Sequence, residues 1–219
     1  MQSQKHGFVF ENCIKETVFG IPYEKNNTDK YDVPCEKNCL NNNENISIKT
    51  TGGKGIDCSD IIRFYNYDFD KDNKIIVIKY FQCGDDKTIK NIYEINYNKE
   101  CHNLLFGNVP INELIDYVNF VKSIPPGEVS SDIKKDYKEK KKLLQSTYSM
   151  KIKISPKVDS KSQRRVQCSI PKFEELLSDF IEYKSENNKP NVIRNKEIIL
   201  SINSPKRKRN SKEIKINLQ

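Results

Sequence analysis

The sequence predicts a mixed α/β domain, a central β-sheet of mixed strand direction flanked by helices in three layers. Three observations point there. The run Lys74-Ile75-Ile76-Val77-Ile78-Lys79-Tyr80 is almost continuously apolar, as a central strand buried on both faces should be. Segments of helical apolar period (residues 7–19, 110–121 and 173–183) are interspersed with segments that alternate at period two (residues 45–51, 74–82 and 87–98). At 219 residues the chain has room for one full core and an elaboration of it, but little for two ordinary domains.

Taken in order, the first helix spans residues 7–19, with Phe8, Phe10, Ile14 and Val18 at helical intervals and a stop at Gly20-Ile21-Pro22. Glu11 lies beside that apolar stripe, four residues before Lys15, the spacing of an exposed helical ion pair. Two short strands follow, near 29–35 and 45–51, joined by a polar, Asn-rich loop over 36–44. Residues 50–55 form a glycine-rich loop whose amides and Lys54 suit a phosphate. The loop lacks the order of a P-loop, so no nucleotide cofactor is expected. Residues 56–67 read as a short helix, and 74–82 and 87–98 as long antiparallel strands.

Pro110 opens a helix that carries Leu114, Ile115, Val118 and Val121 and ends at Pro125-Pro126-Gly127. Residues 131–144 make a lysine-rich helix, a solvated face or a track for phosphates. A strand over 148–154 precedes the ribbon of residues 160–170, where Gln163, Arg165 and Gln167 share one face, with Arg164, Val166 and Cys168 on the other. Arg matches guanine O6 and N7 and Gln matches adenine N6 and N7, so such a ribbon suits base reading in the major groove; the bland alternative is a charged edge strand. An amphipathic helix over 173–183 and a last strand over 196–202 complete the fold. Lys206-Arg207-Lys208-Arg209 then forms a basic patch of nuclear-localisation or phosphate-binding type.

The chemistry concentrates at Asp32 and at Ser47-Ile48-Lys49, with fourteen residues between them. On a strand Ser47 and Lys49 point one way while Ile46 and Ile48 point the other, and Tyr31-Asp32-Val33 sets a lone carboxylate in the same kind of context. The array Asp32…Ser47-x-Lys49, preceded by a helix bearing Glu11, resembles the PD-(D/E)xK nuclease superfamily, in the form found in type II restriction endonucleases. The resemblance implies a restriction-endonuclease-like three-layer core with a basic helical and β-ribbon elaboration. It further implies that Asp32 binds a catalytic Mg²⁺ and that Lys49 stands beside the attacking water. Two departures accompany it: Val33 follows the aspartate, and Ser47 stands where a second acid is usual. A hydroxyl is a poorer ligand for a hard cation than a carboxylate, so Glu11, Asp57 and Asp60 become candidates for the missing charge. The expected catalytic set is Asp32, Ser47, Lys49 and Glu11, with Ser47 orienting a metal-bound water; Asp32, Glu11 and Asp60 are the metal ligands, and Lys54, Gln163, Arg164, Arg165 and Gln167 the DNA contacts.

The function expected on these grounds is a Mg²⁺-dependent, sequence-specific double-strand DNA endonuclease. A structure-selective resolvase or repair nuclease, and a non-catalytic nucleic-acid-binding module with a decayed centre, are the alternatives. A net charge of +8 with 31% charged residues favours a polyanionic partner, although an AT-rich coding bias accounts for part of the lysine excess. Double-strand cutting leads to an expected homodimer, with the helices bearing Leu114 and Phe173 as candidate surfaces. Nuclease-core residues 1–125, a recognition elaboration of the same domain over 126–203 and a basic tail over 204–219 are the expected divisions. Seven scattered cysteines and a polar start read as a reduced, cytoplasmic chain, with the nucleus an alternative because of the basic tail. Cys35 and Cys39 lack a second ligand pair for zinc, and no apolar stretch has the length to cross a bilayer.

Overall fold

A computed structural model describes residues 5–22, 29–84, 86–159, 163–186 and 189–203. In chain order its elements are α1 (Lys5–Phe19), β1 (Glu44–Thr51), β2 (Ile56–Asp60), α2 (Ile61–Tyr65), β3 (Asp72–Cys83), β4 (Asp86–Asn96), α3 (Lys99–Phe106), α4 (Ile111–Ser123), α5 (Ser131–Thr147), β5 (Lys153–Val158), β6 (Arg164–Ile170), α6 (Phe173–Leu176), β7 (Ile181–Lys184), β8 (Val192–Ile193), β9 (Lys196–Glu197) and β10 (Ser201–Asn203). The main sheet runs β1-β3-β4-β10, with β7 also paired to β4. β1 and β3 are parallel, while β4 pairs antiparallel with β3, β7 and β10, which makes the sheet mixed.

The period of two sorts the side chains of this sheet into two cores. Ile46 and Ile48 of β1, Ile76 and Ile78 of β3 and Ile92 of β4 meet Phe10, Ile14 and Val18 of α1 on one face. Ile75, Val77, Tyr93 and Ile95 meet Phe64 of α2, Leu114 and Val118 of α4 and the inner face of a second sheet, β2-β6-β5, on the other. Ile75 through Ile78 are all fully buried, as a central strand requires. Each such side chain contributes about 1.5–3 kcal/mol by leaving water. The result is a helix, sheet and helix arrangement of three layers.

The termini of several elements differ from expectation, each for a local reason. Residues 56–67 begin as a strand because Ile56 and Cys58 alternate inward with Asp57 outward; a bulge between Asp57 and Ser59, where Ser59 has φ 65°, shifts its register before it ends at Asp60. Asp60 then accepts from Arg63 N at 2.9 Å and starts α2. The segment 173–183 is α-helical for only four residues, followed by a 3-10 turn at Ser178–Phe180, after which Ile181 and Tyr183 pair with β4. Phe173 and Leu177 are buried in the core, as are Leu114, Val118 and Val121 of α4. Neither of the two faces named for self-association is therefore free.

The strand expected at 29–35 contracts to one antiparallel bridge, Val33 with Ile46. The strand at 148–154 shifts to β5, since Lys151 N and Ile152 N both donate to Leu105 O. The strand at 196–202 divides into β9 and β10. Helix α3 is an addition to the expected elements; Asn98 caps it by accepting from Cys101 N at 2.9 Å, and Gly107 ends it at φ 62°. A side chain at Gly107 would bring Cβ to 1.9 Å from Tyr148 O, so glycine is required there. Residues on either side of 125 share both sheets: β6 pairs with β2, and β7 and β10 flank β4. The basic patch at 206–209 lies outside the described residues.

Candidate active site

β1 forms one side of the main sheet, and its outer edge is where the sequence-marked residues meet. Val33, fully buried, exchanges hydrogen bonds with Ile46 at 3.0 and 2.8 Å. That bridge lays Asp32 against the strand. Its Oδ2 accepts from Ile48 N at 2.5 Å and stands 3.4 Å from Lys49 Nζ. Because Ile46 turns its N–H and C=O towards Val33, Ile48, two residues on, turns its own towards the same edge. A backbone carbonyl thus accompanies the Asp32 carboxylate.

Glu11 arrives from the other side. Phe10, Ile14 and Val18 seat α1 on Ile46 and Ile48, which leaves Glu11 at the rim of that contact. Lys15, expected to be an exposed partner, is buried, and its Nζ stands 4.0 Å from the Glu11 carboxylate. Burial pushes the Glu11 carboxyl from the ordinary 4.5 up to about 7; the charge of Asp32 adds to the rise, while Lys15 and Lys49 oppose it. Burial also works against the Lys49 ammonium, but Asp32, followed by Tyr67, Cys58 and Glu11, outweighs it and holds Lys49 above the ordinary lysine range. Glu11, Asp32 and Lys49 therefore act on one another as a single electrostatic unit, with Lys49 a protonated donor at neutral pH.

Ser47 is not part of that open edge. It is 1% exposed and hydrogen-bonded to the Tyr67 hydroxyl at 2.6 Å, which corrects its expected role at a metal-bound water. Tyr67 packs edge-on against Tyr31, Phe64 and Tyr97, and burial pushes its phenol up to about 12. Lys30 reaches across this cluster, donating to Asn66 O and standing 5.4 Å from the Tyr31 ring centre and 5.8 Å from that of Tyr67. Tyr67 is the residue that the sequence reading missed: no spacing in residues 61–69 marks it, and only the folded chain brings it to Ser47.

Asp60 is also corrected. Its carboxylate is occupied as the cap of α2, and Asp57 likewise accepts from Ser59 N at 2.9 Å. Among the described residues no group of three or more His, Cys, Asp or Glu side chains is placed to hold a metal ion. The three-carboxylate set of Asp32, Glu11 and Asp60 is thus not assembled. Two of its members, Glu11 and Asp32, are near enough for the charge of one to act on the other.

The expected DNA contacts separate in the same way. Lys54 is exposed at a loop that Thr51 shapes, its Oγ1 donating to Gly55 O at 2.6 Å and accepting from Gly53 N at 3.1 Å. Arg164 is committed elsewhere: its guanidinium donates to the carbonyls of Ile124 at 2.9 Å, Asp159 at 3.0 Å, Gln163 at 2.8 Å, Gly127 at 3.4 Å and Pro125. It ties the turn after α4 to the start of β6 and is not available to base edges. Gln163 precedes the strand, its N–H donating to Asp159 at 3.0 Å. Arg165 and Gln167 share the outward face of β6, which is the central strand of its sheet and not an edge.

Compared with models of protein families, with curated proteins and with solved structures, the chain matches none. What the arrangement can do chemically rests on its residues. Mg²⁺ is commonly bound through one or two carboxylates together with waters and substrate phosphates. Glu11 and Asp32 fit that pattern, for burial and then the charge of Asp32 raise the Glu11 carboxyl, and a cation offsets both.

Proposed function

We propose that the protein is a Mg²⁺-dependent DNA endonuclease that hydrolyses phosphodiester bonds at the outer edge of β1. The observation that carries the reading is the convergence of Glu11, Asp32 and Lys49, three residues from α1, a bend and β1, into one coupled charge cluster. The resemblance of Asp32…Ser47-x-Lys49 to the PD-(D/E)xK nucleases and the net charge of +8 support the same class of substrate.

Asp32 and Glu11 would hold the ion, with the Ile48 carbonyl facing the same edge. When bound, it supplies Lewis-acid polarisation of a phosphoryl oxygen and a more acidic water. Glu11 must give up its proton to serve as a ligand, so ion binding is expected to strengthen as pH rises. Lys49, kept protonated by Asp32, donates to a non-bridging phosphate oxygen and stabilises the charge that gathers there as water attacks and the 3′ oxygen departs. Its role is electrostatic and not that of a base. Tyr67, through Ser47, fixes the wall of the cluster behind Lys49. Sequence-specific duplex cleavage of restriction type belongs to this reading, and so does a two-copy assembly, through a surface other than the core-facing sides of α4 and α6.

Incubation of the full chain with supercoiled plasmid in Mg²⁺, with EDTA as control, tests it. Nicked or linear products are expected from the native chain and not from Asp32→Ala or Lys49→Ala, with DNA binding kept in Lys49→Ala. A native chain that leaves the plasmid and a branched DNA substrate intact in Mg²⁺ overturns the nuclease reading and leaves at most a binding module.

A further inference from the structure

The second sheet buries only one face. Ile154 of β5, Val166, Cys168 and Ile170 of β6 and Ile56 and Cys58 of β2 point into the core. The opposite face carries Lys153, Ser155 and Lys157 from β5 and Arg165, Gln167 and Ser169 from β6. Register sets Lys157 opposite Arg165, Ser155 opposite Gln167 and Lys153 opposite Ser169. Among the described residues, the side chains of Lys153, Lys157, Arg165 and Gln167 take part in no hydrogen bond or ion pair.

One feature of this face is not explained by folding. Directly opposed like charges on adjacent strands destabilise a sheet, yet Lys157 and Arg165 are paired with no carboxylate between them. Register also places two carboxylates beside this face, Asp57 opposite Ser169 and Asp60 opposite Gln167 on β2, each accepting from a backbone amide at 2.9 Å, so the positive charge gathers on the β5 side of β6. Pro156 lies on β5, the outer strand, where proline discourages addition of another strand, so the face and not the edge is the available surface.

We propose that the outward face of the β5–β6 ribbon seats a DNA duplex, with Lys153 and Lys157 at phosphates and Arg165 and Gln167 at base edges in the major groove. The class of partner rests on the nuclease reading; the placement rests on the face itself. Charge complementarity favours this occupant, since a polyanion relieves the Lys157–Arg165 opposition. Dimension favours it too. Lys153 and Lys157 stand four residues apart on one face, about 13 Å at strand rise, close to the roughly 12 Å width of a major groove that admits a two-stranded ribbon. Arg and Gln between such anchors supply the bidentate pairings that tell guanine and adenine apart.

The test is fluorescence anisotropy of the full chain on a labelled DNA duplex in EDTA, over a range of salt, joined to sequencing of the fraction bound from a random duplex pool. Lys153→Ala/Lys157→Ala is expected to weaken binding and lower the log–log salt slope by about two, one for each phosphate no longer neutralised. Arg165→Ala/Gln167→Ala is expected to flatten whatever sequence enrichment the native chain shows. Lys134→Ala/Lys135→Ala/Lys138→Ala on α5 is the comparison. All these side chains lie on the surface, and thermal melts verify that each variant folds. Face variants that bind and select like the native chain, a loss confined to the α5 variant, or a native chain that prefers single strands or does not bind a duplex each overturn the proposal. Plasmid cleavage separates the two readings: duplex binding through this face without cleavage removes the nuclease and keeps the surface. Cleavage with unaltered binding by the face variants does the reverse.

Discussion

Glu11 is the residue whose chemistry is most open to measurement. A carboxyl held at about 7 in the folded chain and near 4.5 when unfolded means that the folded state binds the extra proton between those values. Stability from this group is therefore full below pH 4.5, falls as pH rises and is lost above about 7, a cost on the order of 3 kcal/mol. Glu11→Gln should raise the denaturation midpoint at pH 8 and change it little at pH 4.5, and the native chain should gain more thermal stability from Mg²⁺ at pH 8 than at pH 5.5. Equal effects at both pH values would place the raised carboxyl elsewhere. Ser47→Ala offers the converse test. Loss of its bond to Tyr67 should cost about 1 kcal/mol in denaturant unfolding while plasmid cleavage stays within a few-fold of native, because the hydroxyl is enclosed. A Ser47→Ala chain as inactive as Lys49→Ala would return Ser47 to the reacting groups. The pairing of Asp32 with Lys49 was legible in the sequence because a carboxylate and an ammonium on two short apolar segments have few ways to meet. That Ser47 lies on the same strand face yet not at the open edge depended on Tyr67, which no spacing connects to it.

At the scale of elements, alternation was a good guide to faces and a poor one to ends. The parity that set Arg164 opposite Arg165 holds in β6, but the fate of Arg164 is decided by the turn after α4, whose carbonyls meet its guanidinium. Arg164→Ala strips donors from a cluster of partly buried carbonyls and should destabilise the fold by roughly 2 kcal/mol, lowering the melting temperature where Arg165→Ala leaves it unchanged. A thermal comparison of the two variants decides this, and similar melts for both would contradict the clamp. Residues 173–183 show why ends were illegible. Phe173, Leu177 and Phe180 have helical spacing, yet β4 has an open side, and hydrogen bonding of residues 181–184 to it outweighs continuation of the helix.

Across the whole molecule, the sheet-forming order of the chain is interleaved. Among the described residues β2 has its only sheet partner in β6, and β4 receives β7 and β10 from the far end of the sequence. The fragment of residues 1–125 should therefore fail to unfold cooperatively in denaturant, even though it carries Glu11, Asp32 and Lys49. A sharp transition for that fragment would show that the two halves are separable after all. The mixed three-layer fold could be read from residues 74–80 and their neighbours, because a run apolar on both faces must be central. The second sheet could not, since its members lie far apart and β2 looks like the start of a helix until Ile170 is opposite Ile56.

The pairing of β2 with β6 also has a consequence during synthesis. β2 leaves the ribosome on the order of a hundred residues before β6, which at about 5–20 residues per second leaves it without its partner for roughly 5–20 s. Through that interval Ile56, Cys58 and the apolar β3 are exposed together on a nascent chain, a state that favours aggregation over folding. Yield of soluble protein should thus respond to translation speed and to co-expressed chaperones far more than the stability of the finished fold would indicate.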